Sequence, residues 1–164
     1  MTGLRVTTRG DRELLLTRRF EAPRQLVYDA LTTPDLLVRW YGARGWNLVG
    51  CTVDLRVGGR YRFESRGPGG ERMAQGGVYR EVASPDRLVY TEVFDDQSYA
   101  GETLISTELT ESAGRTTMTS TLRLPSPDAR DIVLRYPMER GAGEGFDRLA
   151  AVLAELIRTG RNVL

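Results

Sequence analysis

The sequence predicts an α+β fold: a curved antiparallel sheet of six or seven strands, with two short helices after its first strand and a long C-terminal helix. Three observations carry this. Residues 18–42, RRFEAPRQLVYDALTTPDLLVRWYG, pass from an alternating strand into two short apolar-striped segments with little slack between them. From there to about residue 125, short strand-like runs recur with turn residues between them. The last third returns to helical periodicity. A curved sheet flanked by helices in this order tends to enclose something.

Residues 13–20 (ELLLTRRF) alternate, with Leu14, Leu16 and Phe20 on one face and Leu15 and Thr17 on the other. Pro23 suits a first helical position, where no amide donor is needed, and Val27, Ala30 and Leu31 follow at helical spacing. Thr32 and Thr33 before Pro34 end that helix and offer a cap to the next, whose Leu36, Leu37 and Trp40 form a stripe. A loop through Gly42, Gly45 and Trp46 leads to a strand near 47–55, and Gly58-Gly59 turns the chain. Tyr61, Phe63 and Ser65 then alternate against Arg60, Arg62, Glu64 and Arg66. Gly67 to Gly70 reverses into a strand over 74–83, where Gly76-Gly77 marks a bulge or bend. Pro85-Asp86 turns again before 88–94, and an exposed loop from Asp95 to Gly101 precedes strands at 102–111 and 115–124. Short regular spacing argues for a meander rather than crossover units.

Ser126-Pro127-Asp128 opens a helix with a capping hydroxyl, a first-position proline and an acid, and Pro137 interrupts it. From there Met138, Ala142, Phe146, Leu149, Leu153 and Leu156 mark one face of a long helix that Gly160 ends. Gly141, Gly143 and Gly145 each cost about 1 kcal/mol relative to alanine in a helix. They read either as a gate at a cavity mouth or as a plain loop, with regular helix from near Glu144.

The 164 residues suit one domain (1–164, ordered core about 13–158) with a sizeable core. A net charge of +1 with interspersed signs gives no basic stripe for nucleic acid. No run approaches the roughly 20 apolar residues of a membrane span, and the N-terminus lacks the apolar core of a secretory signal. Cys51, the one cysteine, fits a reducing compartment, so the expectation is a cytoplasmic protein, monomer or homodimer, with no membrane insertion. Histidine is absent and all 23 basic residues are arginine. That removes the serine–histidine couple, imidazole zinc sites, Schiff-base lysines and the phosphate-loop lysine, and no cofactor is expected. Carboxylate, phenol, hydroxyl and guanidinium chemistry is left.

The 18–42 stretch, DLRVGGRYRF, GGVYREVASPDRLVYTE and GEGFDRLAAVLAEL together resemble the START-related SRPBCC superfamily, birch-pollen-allergen-like, over about residues 13–158. Within it the chain is most similar to the branch named after the activator of the heat-shock-protein-90 ATPase. The resemblance implies a helix-grip fold, with the sheet curved around the C-terminal helix and an apolar cavity between them. Relatives include lipid and sterol carriers, receptors, polyketide aromatases and cyclases, and co-chaperone domains, so function has to be argued from the site.

Strand parity and helix spacing nominate Trp40, Trp46, Tyr61, Phe63, Tyr79, Tyr90, Met118, Met138, Phe146 and Leu149 as the lining of a ligand cavity of roughly 300–1,000 Å³, against an ordinary filled core. Asp54, Glu81, Glu92 and Glu102 are strand carboxylates, any of which, facing inward, would suit acid–base work. Parity does not say which, and the side of the sheet taken by Glu81 and Tyr79 is open. Glu64 and the Arg60, Arg62 and Arg66 row read as solvated, while Arg39 and Arg56 read as structural bridges between helix and strand carboxylates. The expected function is binding of a small apolar or aromatic molecule, as a carrier or sensor, more in keeping with a non-enzyme. The alternatives are a cyclase, aromatase or dehydratase using an inward carboxylate and tyrosine, and a chaperone ATPase-activating domain.

Overall fold

The computed structural model describes residues 3–136 and 138–160, the Met138 side chain excepted. Eight strands, β1 (Arg5–Arg9), β2 (Glu13–Phe20), β3 (Asn47–Val53), β4 (Arg60–Arg66), β5 (Arg72–Ala83), β6 (Arg87–Phe94), β7 (Thr103–Ser112) and β8 (Arg115–Arg123), form one antiparallel sheet. Its spatial order is β1-β2-β8-β7-β6-β5-β4-β3, a six-strand meander to which β2 and then β1 are added beside β8. The count exceeds the six or seven expected because β1 carries no apolar alternation: only Val6 of RVTTR is even half-buried. It forms by pairing its backbone along β2, Arg5 opposite Thr17 through Arg9 opposite Glu13.

The two helices between β2 and β3 are α1 (Arg24–Thr32) and α2 (Pro34–Trp40). Pro23 takes the cap position rather than the first helical one, and the Thr33 side chain makes no capping bond. The Thr32 hydroxyl instead donates back to the Tyr28 carbonyl at 2.8 Å. α1 buries Val27, Tyr28 and Ala30, and α2 buries Leu36, Leu37 and Trp40. After β8, α3 (Pro127–Leu134) is capped as expected, the Ala129 amide donating to the Ser126 hydroxyl at 3.0 Å.

The long helix α4 (Met138–Thr159) crosses the concave face of the sheet. Its glycines are helical, so the plain-loop reading fails; Pro137 itself lies outside the described residues. Leu149, Leu153 and Leu156 are buried with Val27, Tyr28, Leu36 and Leu37 in the main core. Arg39 bridges α2 to α4 through Glu155 at 3.0 Å, helix to helix, whereas Arg56 pairs only locally with Asp54 at 2.9 Å. Among the described residues, no helix is long and apolar enough to cross a membrane.

Candidate functional site

The main core thins toward the N-terminal end of α4, where Ala142 and Phe146 also pack on a second, smaller cluster of Leu14, Leu16 and Leu124. There the helix contributes Gly141, Ala142, Gly145 and Phe146, and a partly open cavity of about 360 Å³ lies between them and the sheet. The Cβ that alanine would add at Gly145 meets the Gly42 carbonyl oxygen at 3.3 Å, so glycine lets α4 lie close to the loop after α2. That loop is tied down from α4 by Arg148, whose guanidinium donates to the carbonyls of Gly42 (3.0 Å) and Trp46 (2.8 Å). The Glu144 carboxylate also accepts from the Arg44 amide at 3.1 Å.

The wall is aromatic. Tyr61 sits at the centre of a ring cluster, 5.1 Å from Phe63, 5.4 Å from Tyr79 and 5.5 Å from Tyr90. Trp40 stacks on Phe146 at 6.0 Å and satisfies its indole N–H on the Ala30 carbonyl at 2.9 Å. Of the residues nominated from sequence, Trp40, Trp46, Tyr61, Phe63, Tyr79, Tyr90, Met118 and Phe146 line the cavity. Leu149 does not: it is fully buried within the main core. The Met138 side chain lies outside the described residues.

Tyr61 also explains the paired glycines of β5. Its phenol donates to the Thr91 carbonyl at 2.6 Å, and the Thr91 hydroxyl accepts from the Val78 amide at 2.9 Å. Thr91 thus turns its carbonyl inward over Gly77, where a Cβ would fall only 1.8 Å from that oxygen. The interruption is followed by a register shift between Tyr79 and Glu81. Two residues apart on one strand, they therefore end on opposite faces: Tyr79 is buried against the rings, while Glu81 faces out and pairs with Arg87 at 2.8 Å.

Among the described residues, one carboxylate lines the cavity. Glu92 shares the cavity face of β6 with Leu88, Tyr90 and Phe94. Glu92 is half-buried at the wall of this partly open cavity. Burial among rings raises its pKa from 4.5 to about 7, opposed only in part by the Gln75 amide, which donates to Oε2 at 3.4 Å. The same amide donates to the Tyr41 hydroxyl. Gln75 is wholly buried and its own Oε1 has no partner, nor has the Ser65 hydroxyl, which lines the cavity. The phenols of Tyr41, Tyr61, Tyr79 and Tyr90 are all pushed up by burial, so they stay protonated. Burial likewise lifts the Cys51 thiol to about 11, which leaves it unreactive at neutral pH. Among the described residues, no group of three or more acidic or cysteine side chains is placed to hold a metal.

The family model described as Activator of Hsp90 ATPase homolog 1-like protein matches residues 21–154. The chain belongs to the AHSA1 family. A crystal structure of a Rhodobacter sphaeroides protein is 30% identical, with a TM-score of 0.88 over 94% of this chain and 99% of that one. A Nitrosomonas europaea protein is 25% identical, with a TM-score of 0.82 over 92% and 99% of the two chains. An Hsp90 activator from Plasmodium falciparum shares the fold at 21% identity, with a TM-score of 0.53 over 68% of this chain and 72% of that one. No curated protein matches the chain. The helix-grip arrangement of this AHSA1 member thus stands on both its own geometry and its relatives.

Tyr41, Gln75 and Ser65 were not among the nominated residues. Ser65 had a signal, since it alternates on the same face as Tyr61 and Phe63. Gln75 had a weaker one, two steps along β5 from Gly77 and four from Tyr79. Tyr41 had none: it sits past the end of α2 in an extended conformation, which no helical stripe foretells.

Proposed function

We propose that this AHSA1 protein binds a small apolar or aromatic molecule in the cavity between its sheet and α4. The observation that supports this is a hollow of about 360 Å³ walled by rings and carrying only a few polar groups. That combination suits burial for affinity and a small number of hydrogen bonds for orientation. The probe for the test is N-phenylnaphthylamine, uncharged at neutral pH and fluorescent in apolar surroundings. It is expected to bind saturably at one site, raise the melting temperature, and lose binding when Ala142→Phe fills the cavity from α4. Unsaturable binding, or binding indifferent to the filling variant, refutes the reading.

A second reading, acid–base catalysis of the cyclase, aromatase or dehydratase kind, is favoured by Glu92 alone, whose pKa of about 7 matches the operating pH of a general acid or base. It requires a substrate consumed by the wild-type chain and left unchanged by Glu92→Gln, with affinity for the uncharged probe retained. The chaperone-activating alternative has only the fold of the Plasmodium protein behind it.

A further inference from the structure

The polar groups of the cavity are lopsided in charge and in hydrogen bonding. Its lining holds one acid, Glu92, and no arginine among the described residues. Arg148 of α4 and Arg18 of β2 are engaged elsewhere: Arg148 on the carbonyls of the loop after α2, and Arg18 on Asp147 at 2.6 Å. Hydrogen bonding near the acid is also incomplete. The Gln75 amide is shared between Tyr41 and Glu92, while Gln75 Oε1 and the Ser65 hydroxyl are unpartnered and almost wholly buried. Within the lining, the Glu92 carboxyl and the Ser65 hydroxyl can each accept, so a polar head that brings hydrogens finds partners there.

We infer that the cavity selects an apolar molecule whose single polar head is a basic nitrogen bearing hydrogens, seated against the Glu92 carboxyl, and that it rejects carboxylate-headed amphiphiles. This rests on the ligand-binding reading above and names the class of ligand. A carboxylate entering here meets no counter-ion and sets a second negative charge beside Glu92. An ammonium on its own is equally unwelcome among rings. Opposite Glu92, however, the two form a hydrogen-bonded pair of no net charge, and Ser65 offers a further acceptor.

The proton balance follows. Facing Glu92 are Gln75 from β5, Tyr41 from the end of α2, Tyr61 from β4, Tyr90 from its own strand and Tyr99 from the β6–β7 loop. α4 presents only Gly141, Ala142, Gly145 and Phe146. None of these is charged at neutral pH, so Glu92 is the group that exchanges the proton. A protonated amine binding to the neutral carboxyl forms a carboxylate–ammonium pair and releases one proton to solvent. At higher pH the carboxyl is already ionised and the release vanishes.

The experiment is calorimetric titration of the whole chain with naphthylmethylamine, naphthylmethanol and naphthoate, which share one apolar body. For the wild type, the amine is expected to bind at least about tenfold tighter than the alcohol, with naphthoate weakest. In two buffers of different ionisation enthalpy, amine binding should release close to one proton at about pH 6 and almost none at about pH 8. Glu92→Gln should erase the amine's advantage and leave the alcohol within about twofold, which also shows that the variant is folded. Naphthoate binding as tightly as the alcohol, or an amine advantage that survives Glu92→Gln, overturns the inference while leaving the cavity reading intact. So does amine binding without proton release, a result that needs no variant. Failure of all three probes to bind the wild type removes the cavity reading and the inference together.

Discussion

Glu92→Gln isolates the cost of keeping one ionisable group in the cavity. The folded carboxyl titrates at about 7 against an ordinary 4.5. A raised carboxylate pKa means that, between those two values, the folded chain binds more protons than the unfolded chain. Stability therefore falls as pH climbs through the window, is unaffected well below 4.5, and levels off above 7. The rise from 4.5 to about 7, at about 1.4 kcal/mol per unit, amounts to about 3 kcal/mol, most of which develops between about pH 5 and pH 8. That is a large part of a typical domain's stability of about 5–15 kcal/mol. Urea unfolding of wild type and Glu92→Gln, followed by tryptophan fluorescence at several pH values, measures it. All other groups titrate alike in both chains, so their difference in unfolding free energy reports Glu92 alone. Relative to the variant, the wild type should lose about 2–3 kcal/mol over that range. A difference that stays flat within about 0.5 kcal/mol, or that moves the other way, would refute the argument that Glu92 is buried without a compensating charge.

Two paired substitutions test the wall and the helix. Tyr61→Phe removes a donor and strands the buried Thr91 carbonyl, so it should cost about 1–3 kcal/mol, whereas Tyr28→Phe removes a buried hydroxyl that has no partner and should be neutral or stabilising, both read from urea midpoints. Equal losses in the two would count against the hydrogen bond assigned to Tyr61. Gly77→Ala places a Cβ 1.8 Å from the Thr91 oxygen and should cost more than about 3 kcal/mol or abolish folding. Gly141→Ala meets nothing within 4 Å and should raise stability by up to about 1 kcal/mol, as thermal unfolding will show. A destabilising Gly141→Ala would mean that α4 needs flexibility there.

The parts of the fold legible in the sequence are those where a local signal and the tertiary arrangement agree. Pro34 with the stripe Leu36, Leu37 and Trp40 specifies α2, and the glycine and proline turns specify the meander from β3 to β8. β1 was illegible because its residues bury almost nothing; its stability is borrowed from the backbone edge of β2. Parity carried Tyr61, Phe63 and Tyr90 to the cavity, and would have carried Ser65. It failed between Tyr79 and Glu81, because a register shift is a property of two strands and is written in neither alone. Glu92 was visible as a candidate among four carboxylates, but its selection needed Tyr90 to be fixed on the concave face. Of the other three, Asp54 and Glu102 lie just outside the ends of β3 and β7, and Glu81 is turned outward.

The glycines of α4 are best understood through what they withhold. Along one helix, Leu149, Leu153 and Leu156 supply branched side chains that close the space against α1 and α2, and that end of the interior is solid. One to two turns earlier the same helical face offers Gly141, Ala142 and Gly145, with Phe146 alone reaching inward. The strands opposite do not make up the deficit: Ser65, Thr107 and Ser120 face the hollow with short side chains. A leucine in place of Ala142 would gain apolar burial and lose the space, and helix stability alone argues against glycine at these positions. The helix thus forgoes stability and large side chains in the same turns, beside Glu92, the one acid in the cavity lining among the described residues. That coincidence is what the proposed binding of a guest would require, and helix stability alone does not explain it.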